Sequence, residues 1–144
     1  MSYRECRMTV AVIDGQGGGI GKAIVEKVKK AFPDLRVIAL GTNAMATSQM
    51  LKAGADDGAT GENAIMHNMQ HVDVVMGVIG ILNANAMMGE LTPAMATAIG
   101  GSHTQKILLP INRCHIQVVS VEELPLGTHI DNAVKALGEY IKVL

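Results

Sequence analysis

The sequence predicts an α/β protein, a single Rossmann-like three-layer domain with a mostly parallel sheet, and three observations carry that expectation. Short β-branched runs alternate with amphipathic helical segments along the chain, and parallel strands need such crossovers to be joined. The first run ends in a glycine-rich turn that leads straight into a helix. At 144 residues the chain can bury a core, yet it is too short for a cofactor domain plus a substrate domain. The expected organisation is a short tail over residues 1–7 and one domain over residues 8–144.

The elements follow in order. Met8 to Ile13 is an apolar run that stops at Asp14-Gly15, a buried first strand. Ile20, Ala23, Ile24, Val28 and Ala31 recur at helical spacing, with Lys22, Glu26, Lys27, Lys29 and Lys30 mostly opposite, and Pro33 ends that helix. Leu35 to Leu40 is a second strand. Gly41-Thr42-Asn43 then opens a helix to about Ala53, stopped by Gly54. Ala55 to Ala59 is expected as a short edge strand, and Thr60 as the cap of a helix over residues 61–70. Val72 to Ile79 is a buried strand, followed by a glycine- and asparagine-rich passage over 80–89. Thr92-Pro93 reads as N-cap and first position of a helix to Ile99, stopped by Gly100-Gly101. Lys106 to Ile111 and Ile116 to Val121 are expected as strands. Ile130, Val134, Leu137 and Ile141 form the apolar stripe of a final helix, with Lys135 and Glu139 outside. If the first three strands spread one way from the first and the strand at Val72 returns to its other side, a switch point lies between them, where ligands bind beyond the strand carboxyl ends.

Charge and composition exclude several functions. Lys and Arg total 12 against 13 for Asp and Glu, so no basic field is available for nucleic acid or an anionic membrane. The apolar run from Val74 to Leu82 is far shorter than the roughly 20 residues that span a bilayer. The mixed-charge start, Met1 to Arg7, does not read as a secretory signal, and Cys6 with Cys114 makes no disulfide framework. A cytoplasmic location is the expectation. Hydrophobic residues make up 49% of the chain but aromatics only 2%, and from Val74 to Gln105 the only Asp, Glu, Lys or Arg is Glu90. So uncharged a stretch predicts a homo-oligomer interface or an enclosed ligand site.

The chemistry concentrates in the turn Asp14, Gly15, Gln16, Gly17, Gly18, Gly19, Ile20 and Gly21. Glycine lets backbone N–H groups approach a ligand, and a helix start presents unpaired donors and partial positive charge to phosphate. The P-loop pattern fails, because Gln16 stands where its first glycine belongs and Ala23 where its magnesium-binding hydroxyl belongs. The pattern G-x-x-x-G-I-G fits as Gly15, Gly19, Ile20 and Gly21, and resembles the cofactor turn of short-chain dehydrogenases over about one βα unit. No Tyr-x-x-x-Lys pair accompanies it: Leu144 lies four after Tyr140, and Arg7 four after Tyr3. Nor does Leu40-Gly41-Thr42-Asn43 supply the acid that would bind an adenosine ribose. Asp14 repels phosphate unless it is protonated, hydrogen-bonded to the turn amides as a structural group, or bridged by a cation such as Mg²⁺.

Four segments stand out: Val-Ile-Asp-Gly-Gln-Gly-Gly-Gly-Ile-Gly-Lys at 12–22, Ala-Leu-Gly-Thr-Asn at 39–43, Gly-Ala-Thr-Gly-Glu-Asn-Ala at 58–64 and Pro-Ile-Asn-Arg-Cys at 110–114. On these segments the whole chain resembles an uncharacterised Rossmann-like family from anaerobic bacteria, a domain of unknown function. The resemblance implies the fold and no activity.

Thr42 and Asn43, Thr60 with Glu62 and Asn63, Asn83 and Asn85, Glu90, and Asn112 with Arg113 fall after expected strands or at helix starts, positions that converge on one rim in this fold. Each is also an ordinary turn or cap residue. Together they are candidates to line a polar pocket around the phosphate turn, with Arg113 as charge partner for a phosphate or carboxylate. His67 and His71, one helical turn apart, have no third metal ligand nearby in sequence. The expected ligand is a nucleotide or dinucleotide, NAD(P) or another, with Mg²⁺ as an accompanying ion. The alternatives are a regulatory or assembly module acting through protein contacts, and an enzyme for a small phosphorylated metabolite using Asp14 with Glu62 or Glu90. No catalytic residue is assigned.

Overall fold

Along β1 (Thr9–Asp14) every residue from Val10 onward is buried, as a central parallel strand covered on both faces requires. Its side chains alternate between two cores. Val10 and Val12 face one, Ala11 and Ile13 the other. A computed structural model describes residues 8–111 and 115–144, so the expected tail at 1–7 and the candidates Asn112 and Arg113 lie outside the described residues.

The remaining elements are α1 (Gly19–Ala31), β2 (Arg36–Gly41), α2 (Ala44–Lys52), β3 (Asp57–Thr60), α3 (Glu62–Asn68), β4 (Val74–Val78), a 3₁₀ turn (Ile79–Leu82), α4 (Pro93–Gly100), β5 (Gln105–Leu109) and α5 (Leu126–Lys142). The strands form one sheet in the order β3-β2-β1-β4-β5, with every pairing parallel. Ile24, Val25 and Val28 of α1, Met50 of α2, and Ile130, Leu137 and Ile141 of α5 cover one face. Ile65 of α3 and Met95, Ala96 and Ile99 of α4 cover the other. The result is a single α/β domain of three layers, consistent with the Rossmann-like expectation.

The order reverses between β1 and β4, so the switch point stands where the strand pattern predicts it. Local chemistry sets the ends that surround it. Asn43 Oδ1 accepts the Ala46 amide at 2.9 Å to start α2, and Thr92 Oγ1 accepts the Met95 amide at 3.2 Å to start α4 behind Pro93. Two expectations are corrected. Gly61, at φ 99°, caps α3 in place of Thr60, whose hydroxyl is 2.8 Å from that of buried Thr47. Ile116 to Val121 forms no strand: Val118, Val119 and Val121 are exposed, and this stretch adds nothing to the outer edge of β5. β-branched residues favour a strand only where a ladder partner and a half-buried surface await them.

Candidate functional site

The turn between β1 and α1 divides its glycines into two kinds. Gly15, Gly18 and Gly21 are required by the fold. A Cβ on Gly15 would strike the Thr42 hydroxyl and lie 2.6 Å from Met87 Sδ; one on Gly21 would lie 2.7 Å from both Asp14 Cβ and Met50 Sδ. Gly18 has φ 76° and the Ala46 Cα 2.7 Å from its would-be Cβ. Gly17 and Gly19 differ: neither has positive φ, and a Cβ on either would meet nothing within 4 Å. Nothing among the described residues calls for the bare backbone at these two positions.

Asp14 is 7% exposed, and its two oxygens accept turn amides, Oδ1 from Gly15 at 2.8 Å and Oδ2 from Gly21 at 2.6 Å. This is the geometry of the structural alternative, a carboxylate that fixes the turn and offsets the partial positive charge of the α1 start. Gly18 N–H donates to the Gly15 carbonyl. The amides of Gly17, Gly19 and Ile20 meet no acceptor among the described residues. Gly19 and Ile20 are the first two residues of α1, where no intrahelical carbonyl is available.

A second carboxylate reaches the turn from the loop that follows β4 and its 3₁₀ turn. Glu90 Oε1 accepts the Gln16 amide, the Thr42 hydroxyl and the Asn43 side-chain amide, each at 2.8 Å. The Gln16 amide above all, aided by Asn43 and Thr42 and opposed by partial burial, holds the Glu90 carboxyl below its usual range. Glu90 closes a loop whose ends are anchored by buried Ala86 and Leu91, with the Asn85 amide donating to the Leu91 carbonyl. Asn85, Met87, Met88 and Gly89 all have positive φ, a strained course for the two methionines. Glu90 thus stands at the end of β2, where the sequence offers no acid of its own.

On its β4 side the turn borders a crevice of about 240 Å³ lined by Asp14, Gln16, Ile20, Val78, Gly80, Ala86, Met87, Met88 and Ile111. A shallower hollow of about 590 Å³ shares Ile20 and Ile111 with it. A wider open groove of about 850 Å³, lined by Met66, Asp73, His103 and Tyr140 among others, lies at the opposite rim of the sheet, away from the glycine turn.

Of the rim candidates, Thr42 and Asn43 meet at the turn; Asn43 Nδ2 also donates to the Gln16 carbonyl at 2.9 Å. Glu62 instead accepts the Thr92 hydroxyl at 2.5 Å, tying the starts of α3 and α4. Asn63 is exposed, and Asn85 shapes the loop through its backbone. Asn83 donates its amide to the Gly80 carbonyl. The rings of His67 and His71 lie 4.8 Å apart, and no metal-binding group of three His, Cys, Asp or Glu occurs among the described residues. No helix among the described residues is long and apolar enough to cross a membrane.

Fold and turn together define a single-domain α/β protein with an all-parallel sheet and a glycine turn at its switch point. The chain belongs to the family described as Domain of unknown function (DUF3842), whose model matches residues 9–142. A search of curated proteins finds no match.

Proposed function

We propose that the protein binds a nucleotide-type ligand, NAD(P) or another, with its phosphate on the amides of Gly17, Gly19 and Ile20. The observation that carries this reading is the bareness of Gly17 and Gly19: two glycines free of internal crowding and of positive φ, beside amides with no acceptor among the described residues. A phosphate would satisfy those donors at the start of a 13-residue helix. The neighbouring crevice offers Ile20, Val78, Met87 and Ile111 to an apolar or aromatic portion of the ligand. Isothermal titration with ADP and NAD⁺ tests the reading. Binding should fall at least about tenfold in Gly19→Val, whose side chain fills the approach; unchanged affinity in the folded variant overturns it. The same titration with chelator reports whether Mg²⁺ takes part.

Self-association is a second reading, favoured by Met88, which is 97% exposed at the mouth of the crevice. Met95, Ala96 and Ile99 are spent on the subunit's own core, so a homo-oligomer interface would draw on Met88 and on exposed Pro93, Thr97 and Gly100. Light scattering at low micromolar concentration checks it, with Met88→Lys expected to shift any oligomer toward monomer.

A further inference from the structure

Three donors from two different strand ends converge on one oxygen of a carboxylate that belongs to a third segment. The Gln16 amide follows β1, the Thr42 hydroxyl and Asn43 amide follow β2, and Glu90 sits before α4. All these bonds end on Oε1; no described residue donates to Oε2, and the side chain is only partly buried. One oxygen is therefore an anchor and the other is left over. An ionised carboxylate oxygen accepts and cannot donate, so its complement is a donor, and beside a phosphate the donors that a nucleotide carries are its sugar hydroxyls. A phosphoester at the same place would face a like charge and find the nearby donors already taken.

The anchor also adjoins the proposed phosphate position. Gln16, whose amide holds Glu90, immediately precedes Gly17, whose amide is unmet among the described residues. A ligand with its phosphate on the bare glycines would carry the neighbouring sugar toward Glu90. Here the acid comes from the loop after β4, 48 residues beyond Thr42, and its carboxylate is positioned before any ligand arrives.

We propose that Glu90, anchored through Oε1 on Gln16, Thr42 and Asn43, uses Oε2 to accept a ribose hydroxyl of the bound nucleotide, selecting unmodified ribose over ribose 2′-phosphate. The inference rests on the phosphate reading above and adds to it the sugar and its modification state. Glu90 is a specificity residue in this account, and no chemical step is assigned to it.

The experiment titrates the intact protein with inorganic pyrophosphate, NAD⁺ and NADP⁺, in wild type and in Glu90→Gln and Glu90→Ala. Glutamine keeps an accepting oxygen for the three donors and replaces the second oxygen with a donor. Wild type should favour NAD⁺ over NADP⁺ by about tenfold or more, and Glu90→Gln should erase or invert that preference while pyrophosphate remains bound. Equal affinity for NAD⁺ and NADP⁺ in wild type, with pyrophosphate still bound, overturns the ribose assignment and leaves the phosphate reading standing. Tighter binding of every probe in both variants also overturns it, because the carboxylate would then be occupying the site in place of a ligand. Absence of binding by all three probes to wild type removes the phosphate reading and this inference with it. Thermal unfolding of each variant, run alongside, separates altered selectivity from a displaced loop.

Discussion

The glycine turn has a filled side and a bare side. Toward β2 and α2, Gly15 and Gly18 lie against Thr42, Met87 and Ala46, and the Gln16 amide is taken by Glu90. Toward solvent, a Cβ on Gly17 or Gly19 would meet nothing within 4 Å, and their amides meet no acceptor among the described residues. One short segment thus separates glycines that the fold requires from glycines that it leaves bare, residue by residue. Substitutions that look alike in sequence should consequently behave in opposite ways.

The largest effect is expected at Gly18. An alanine there must hold φ near 76° and push its Cβ against the Ala46 backbone, so Gly18→Ala should lose about 2–4 kcal/mol in urea denaturation. Asp14→Ala comes next: leaving the Gly15 and Gly21 amides without their acceptor should cost about 2–3 kcal/mol. Stability that responded to chelator in wild type would assign the Asp14 carboxylate to a cation instead.

Glu90→Ala should cost less, about 1–2 kcal/mol at neutral pH, because its hydrogen bonds are partly solvated. Its sign with pH is fixed by the lowered folded value. The contribution is complete above the unfolded glutamate range, near about pH 4.3, and disappears as pH falls through the lower folded value. Wild type and Glu90→Ala should therefore converge in stability below about pH 4; a gap that persists there means that the loop is held by packing of Ala86 and Leu91 alone. The smallest effect belongs to Gly17→Ala and Gly19→Ala, each expected within about 0.5 kcal/mol of wild type. A large loss at either position would abolish the distinction between the two sides.

Sequence periodicity revealed what depends on near neighbours. The apolar stripes of α1 and α5, the Asn43 and Thr92 caps and the stop at Gly54 each follow from a few adjacent residues, and the switch point follows from strand order. Ile116 to Val121 misleads because strand formation depends on a partner edge, which composition does not encode. Thr60 misleads because its hydroxyl has a competing partner in Thr47, 13 residues away in the chain. At the site, the turn was legible while its division was not: whether a glycine is crowded depends on Ala46, Met50 and Met87, all distant in sequence. Glu90 was legible as a rim candidate and as the lone charge in an uncharged stretch, but not its donors, because Gln16, Thr42 and Asn43 lie 74, 48 and 47 residues from it in the chain.

The strand order also dictates a sequence of events as the chain emerges. β1, β2 and β3 can pair once residues 9–60 are available, whereas β4 must close a loop of about 60 residues to reach the other edge of β1. Loop closure of that length is slow compared with local pairing, and sheets assembled through it fold on the longer timescales of parallel topologies. The glycine turn is thus built in the early half, while its crevice wall and Glu90 arrive with the late half. During that interval the central strand presents one open edge, and the turn amides face water without either the crevice or the carboxylate that later flanks them. A ligand that bound the nascent turn would hold the early half in register while β4 docks, making assembly of the sheet and filling of the site a single coupled event.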